Sequence, residues 1–217
     1  MKQDKKYYFN WASGTGGDFL IGVLHLLYPF PHITNIKVNH LNQWSHTIDP
    51  VEEQRLRPFA VEDQPTIQKY LEDTNPGELF QYHQHCEMPL KIPPNTKAIN
   101  LTTGDIYVES FIAHLYNIKC READSIKNIS IMRQSSLIAG ALNINYDTLF
   151  DHPSNGTIFE ILNMFGRSDG FSPSIAPVLS AYHKANVELV NQPINSINKS
   201  ITTINTFNDL LAHFEIG

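Results

Sequence analysis

Ser13, Gly14, Thr15, Gly16 and Gly17 stand between an aromatic run, Tyr7-Tyr8-Phe9-Asn10-Trp11, and an apolar run beginning at Phe19. Glycines so closely spaced permit backbone angles and close approaches that other residues forbid. A turn of this kind between a strand and a helix aims main-chain N–H groups and a helix N-terminus at one spot, which is anion-binding chemistry. Ser13 and Thr15 add hydroxyl donors. No Lys or Arg occurs between Lys6 and Lys37, so the turn lacks the cation that usually accompanies phosphate. A nucleotide-hydrolysing loop closes on Gly-Lys-[Ser/Thr], and here that place reads Gly17-Asp18. Asp18 complements the helix macrodipole, and it would repel a bound phosphate unless it points sideways. A tight turn with no ligand is the plain alternative.

Further along, Tyr82-His83-Gln84-His85-Cys86 ends an expected strand. A His at the carboxyl edge of an open α/β sheet sits where ligands bind, and its near-neutral pKa suits a general base for a substrate hydroxyl. His83 and His85 are the candidates; His40 and His46 are further His residues that can join them. Ordinary edge histidines fit the same pattern. His-x-His-Cys without a second ligand pair is a weak zinc signal, so no metal is expected. A second strand–turn–helix unit runs from Lys97 through Thr102 to Ser110, with Ser110 one to two turns into the helix. Asn145–Phe150 and the helix after it have a purely structural explanation.

The elements that must position these residues follow from periodicity and caps. Strands are expected at Lys6–Trp11, His32–His40, Leu79–Cys86, Lys97–Thr102 and Asn143–Phe150. Helices are expected at Gly17–Tyr28, after Asp49-Pro50, over Asp63–Glu72, and at Gly104–Ile118. Three more follow: Ser154–Phe165 capped by Ser154 or Asn155, Ser174–Val190, and Phe207–Phe214. Gln192–Thr206, rich in Asn, Ser and Thr, is expected to be an irregular surface segment. Strands alternating with helices predict an α/β fold: a single domain over residues 1–217 with a mostly parallel central sheet flanked by helices.

Composition narrows the function. A net charge of −6 argues against nucleic-acid or anionic-membrane partners. Cys86 and Cys120 do not make a disulfide framework, and no segment is apolar enough to span a bilayer, so a cytoplasmic location is expected. Oligomeric state is left open.

In order, the four pieces resemble the sulfotransferase family, over roughly residues 6–166. The family's Pro-Lys-Ser-Gly-Thr-Thr-Trp-Leu loop is similar to Ser13-Gly14-Thr15, or to Gly16 through Leu20 with Phe19 at the aromatic position. Its Thr-His-Leu-Pro segment resembles Tyr82-His83, with Pro89 downstream. Its Arg-Asn-Pro-x-Asp-x-x-x-Ser element has the spacing of Thr102 to Ser110, and its Tyr-Glu-Asp-Leu strand resembles Tyr146-Asp147-Thr148-Leu149. Asn163-Met164-Phe165-Gly166 echoes the family's Phe-Leu-Gly helix end. The resemblance implies a P-loop NTPase-like three-layer sandwich. It also implies transfer of a sulfuryl group from 3′-phosphoadenosine 5′-phosphosulfate (PAPS) to a hydroxyl on a small molecule or glycan. It assigns the 5′-phosphosulfate to Ser13–Gly17, the 3′-phosphate to Thr102 and Ser110, and the base to His83 or His85.

Two departures stand out. The family Lys falls on Ala12 or Gly14, and the 3′-phosphate Arg falls on Thr102. Each lost charge-assisted contact weakens binding by roughly 1.5–3 kcal/mol. Two rival readings follow: a catalytically inactive relative acting as a binding or structural module, and a P-loop nucleotide kinase relative.

Overall fold

The computed structural model describes residues 4–12, 14–58, 63–84, 90–103, 106–120, 137–166, 172–191 and 200–217. The first half of the chain forms β1 (Lys6–Ala12), α1 (Gly17–Leu27), β2 (Ile33–Asn39), β3 (Trp44–Ile48), α2 (Pro50–Leu56) and α3 (Gln64–Glu72). Then come β4 (Leu79–Gln84), β5 (Thr96–Thr102), α4 (Ile106–Cys120), β6 (Leu142–Asn145) and a π-helical turn (Asp147–Asp151). The chain closes with α5 (Asn155–Met164), α6 (Ile175–Asn191), β7 (Ile201–Ile204) and α7 (Phe207–His213).

A four-stranded parallel sheet has the order β4-β1-β5-β6, and a three-stranded antiparallel sheet has the order β3-β2-β7. β1 is interior because it can be: after Lys6 at its start, its side chains are apolar or aromatic on both faces, apart from Asn10. Phe9 and Trp11 face a core shared with α1, while Tyr8 packs with Phe80, Tyr82 and α3 residues Ile67 and Leu71 on the other side. Asn10 finds partners within the sheet. Its Nδ2 donates to Asn100 Oδ1 (2.7 Å), and Asn100 Nδ2 donates to Asn143 Oδ1 (2.8 Å), one register row across β1, β5 and β6.

α1 is buried on nearly every side because it lies against both sheets. Gly22 approaches Ile36 of β2, while Leu20, Val23 and Leu24 meet Ile158, Ile161 and Leu162 of α5. The helices expected after Asp49-Pro50 and over Asp63–Glu72 form as α2 and α3, and Asp49 and Asp63 cap them, accepting from Val51 N and Thr66 N, each with Pro in the first turn.

The structure corrects three expectations. The strand expected over Asn143–Phe150 ends at Asn145, and Asp147–Asp151 winds into a π turn that buries Leu149 and Phe150. The segment Gln192–Thr206 is not wholly irregular: Ile201–Ile204 pairs with β2, while residues 192–199 lie outside the described set. β3 was not expected at all. The strand expected to reach Cys86 is described to Gln84, and residues 85–89 lie outside the description. Among the described residues no helix is long and apolar enough to cross a membrane.

Candidate functional site

The chain leaves β1 for β4 on one flank, then passes to β5 on the other. The carboxyl end of β1 is therefore where the strand order reverses, the place where open α/β sheets bind ligands. The glycine turn sits there. Gly14 and Gly16 have φ of +85° and +79°, the left-handed region that favours glycine. Gly16 is the N-cap of α1, no side chain caps that helix, and its first bond runs from Leu20 N to Gly16 O (3.0 Å).

Gly17 has a different reason to be glycine. A Cβ there would overlap the ring carbons of Trp11, and one on Gly16 would come within 2.8 Å of Phe150. Trp11, Phe150 and Tyr182 thus pack against the turn from beneath, and Phe19 stacks on Tyr182 with ring centroids 4.1 Å apart. The glycines serve the aromatic floor as well as the backbone.

Above that floor is a cavity of about 390 Å³. Gly14, Gly16, Gly17 and Asp18 line one side, and the β2–β3 hairpin lines another through Lys37, Asn39, Asn42, Gln43 and Ser45. Lys119, at the end of α4, and Tyr182 of α6 complete the wall. The hairpin is held rigidly: Asn39 Oδ1 accepts from Leu41 N (2.9 Å) and Gln43 N (3.1 Å), and Trp44 Nε1 donates to Asn42 Oδ1 (2.9 Å). Lys119 Nζ donates to Asn42 O (3.0 Å) and Asn186 Oδ1 (2.8 Å), tying the hairpin to α4 and α6.

Asp18 points sideways. Its Oδ1 accepts from Arg57 Nη2 (2.9 Å), and the Arg57 guanidinium lies 6.0 Å from the centre of the Trp11 ring. His46 approaches the same oxygen, with Nδ1 3.6 Å from Oδ1 and Nε2 donating to Gln81 Oε1 (2.7 Å). That tautomer leaves the buried Nδ1 without a hydrogen-bond partner. Burial lowers the His46 pKa to about 4, against the raising effect of Asp18.

The unfolded chain takes up a proton near pH 6.5, and the folded ring resists until about 4, so stability is full above 6.5 and falls as pH drops between those values. The loss is about 3 kcal/mol. Urea titrations at a series of pH values measure it, and His46→Gln is expected to flatten that part of the profile.

The residues singled out in the sequence do not all meet. Gly14, Gly16 and Gly17 line the cavity, and Thr15 is buried beside them. Thr102 ends β5, buried, with Oγ1 donating to Asn145 Oδ1 (2.5 Å), and Ser110 is exposed on α4; neither lines the cavity. The backbone of His83 pairs with Trp11 at the carboxyl edge, while its side chain, like Ser13 and His85, lies outside the described residues. Sequence reasoning missed Lys37 and Lys119. Among the described residues no three His, Cys, Asp or Glu side chains converge as a metal site requires. Neither a family model, nor a curated protein, nor a solved structure matches the chain.

Proposed function

We propose that this chain is a sulfotransferase-like protein that binds PAPS at the end of β1 and transfers its sulfuryl group to a hydroxyl acceptor. The observation that carries the reading is the glycine turn at the strand-order reversal, opening onto a ligand-sized cavity in which Asp18, the carboxylate among the described lining residues, is paired with Arg57. In this reading the amides of the turn hold the 5′-phosphosulfate, with Ser13 and Thr15 beside them; Thr102 and Ser110, outside the cavity lining, are the resemblance's candidates for the 3′-phosphate. His83, or His85, removes the acceptor's hydroxyl proton. The acceptor oxygen then bonds to sulfur, the bond from sulfur to the phosphate oxygen breaks, and 3′-phosphoadenosine 5′-phosphate (PAP) leaves. Rate comes from positioning and from charge stabilisation on the transferring group.

The test is a titration with PAP, followed by calorimetry and thermal melting. At a hundred times the dissociation constant, ligand is expected to stabilise the fold by about 2.7 kcal/mol. ATP with magnesium is expected to give no shift, since the turn ends Gly17-Asp18 without the lysine a kinase loop requires. Labelled sulfate should pass from PAPS to an acceptor, and His83→Ala should abolish that transfer.

The ring contacts at Gly16 and Gly17 favour a second reading, a chain that keeps the turn for packing and acts as a binding module. A folded protein giving no heat with millimolar PAP or PAPS would decide for it.

A further inference from the structure

The turn carries no cation in its own sequence, and among the described residues the fold brings two to its cavity from distant segments. Lys37 lies on β2, the middle strand of the antiparallel sheet, with Ser45 and Thr203 opposite it in the same row. A bulge sets its direction. Between Thr34 and Lys37 the pairing with β3 shifts, and Asn35 adopts φ +51°. Ile33 and Ile36 are both buried, so the extra residue resets the alternation and turns Lys37 out of the core. Without the bulge, strict alternation from Ile33 would aim Lys37 inward. Lys37 is exposed and forms no ion pair with the described residues.

Lys119 differs from it. Its ammonium is tied to Asn42 O and Asn186 Oδ1 and lies 5.7 Å from the centre of the Tyr182 ring. One lysine is fixed by its network, and the other is a long arm on a rigid strand. Asp18 is the carboxylate among the described lining residues, and Arg57 offsets its charge. An aromatic floor below these groups lowers the local dielectric, which strengthens any charge pair formed above it.

We infer that Lys37 is the cation that contacts the ligand's anionic group across from the glycine turn, in the position that a lysine within the loop would otherwise fill. The inference rests on the reading of this cavity as a site for a nucleotide bearing phosphate or sulfate. Lys119 holds the hairpin that carries the opposite wall, and it adds positive potential without needing to move. Lys37 is then a ligand-binding residue, and the bulge at Asn35 exists to aim it.

Calorimetry with PAP and, separately, with inorganic pyrophosphate tests this on the full chain and on Lys37→Met and Lys37→Arg. Lys37→Met keeps most of the aliphatic stem and is expected to weaken binding of both ligands about 10- to 100-fold. Lys37→Arg is expected to retain affinity within about threefold, since charge is what the site requires. The unliganded variants should melt with the parent, because the side chain is exposed. Parent and Lys37→Met binding PAP alike would overturn the assignment and leave the nucleotide reading standing. A parent that binds pyrophosphate but not PAP, with loss in Lys37→Met, would keep the assignment and remove the nucleotide. Equal weakening in Lys37→Met and Lys37→Arg, or no binding of either ligand by the parent, would overturn it.

Discussion

Gly17→Ala is expected to destabilise the fold by about 3 kcal/mol or more, the reverse of what a first-turn glycine normally does on replacement. Gly17 has ordinary helical φ, so the backbone itself accepts alanine, and the change should gain about 0.5–1 kcal/mol from reduced chain entropy. The Trp11 ring decides otherwise. It occupies the space a Cβ would need, and it cannot retreat, being buried against Phe9 with ring centroids 5.6 Å apart. A cycle with Trp11→Leu checks the cause. Trp11→Leu alone leaves a cavity and costs stability, but Gly17→Ala added to it should cost far less than in the parent. Chemical denaturation of the four proteins gives the coupling, and additive losses would mean that the ring is not the obstacle.

Asn100→Ala is expected to cost about 2–4 kcal/mol, through both a lost side chain and a broken row of amides. Asn100 is fully buried, accepts from Asn10 and donates to Asn143. Asn143 in turn accepts from Ile138 N (2.9 Å) and donates to Ile138 O (3.1 Å) and Ala141 O (3.1 Å), so the row also fixes the entry into β6. In a buried sheet such amides set register, because a slip by one residue would separate every partner. Urea unfolding measures the cost, and a loss under about 1 kcal/mol would mean the row is not a tie between strands.

Much of this architecture is legible in the residues. The apolar positions of α1 recur at three- and four-residue spacing, and Asp49-Pro50 and the segment from Asp63 mark helix starts that the two Asp side chains cap. β3 went unread: Trp44, His46 and Ile48 alternate with Ser45 and Thr47, but a His and two hydroxyls disguise a half-buried strand. β7 is only Ile-Thr-Thr-Ile within a polar tail, too short to announce itself without its partner. The π turn hides for the opposite reason, since Tyr146, Leu149 and Phe150 look like a continuing apolar strand. At the site, sequence finds the turn and not its cations. Lys37 is twenty residues beyond Gly17, across a helix and a bulge, and Lys119 comes from another crossover entirely. Nothing local links them to the glycines: the packing of α1 against both sheets brings in Lys37, and the packing of α4 on the hairpin and α6 brings in Lys119.

The pairing of β7 with β2 has a consequence for how the protein is made. During synthesis the strand bearing Lys37 emerges early, and its second neighbour arrives more than 160 residues later. Until then one flank of that strand has open main-chain groups, a template for stray pairing with other nascent chains. Chaperone dependence and aggregation should therefore concentrate in translation intermediates that lack residues 201–204, and the finished protein should be far less prone to either.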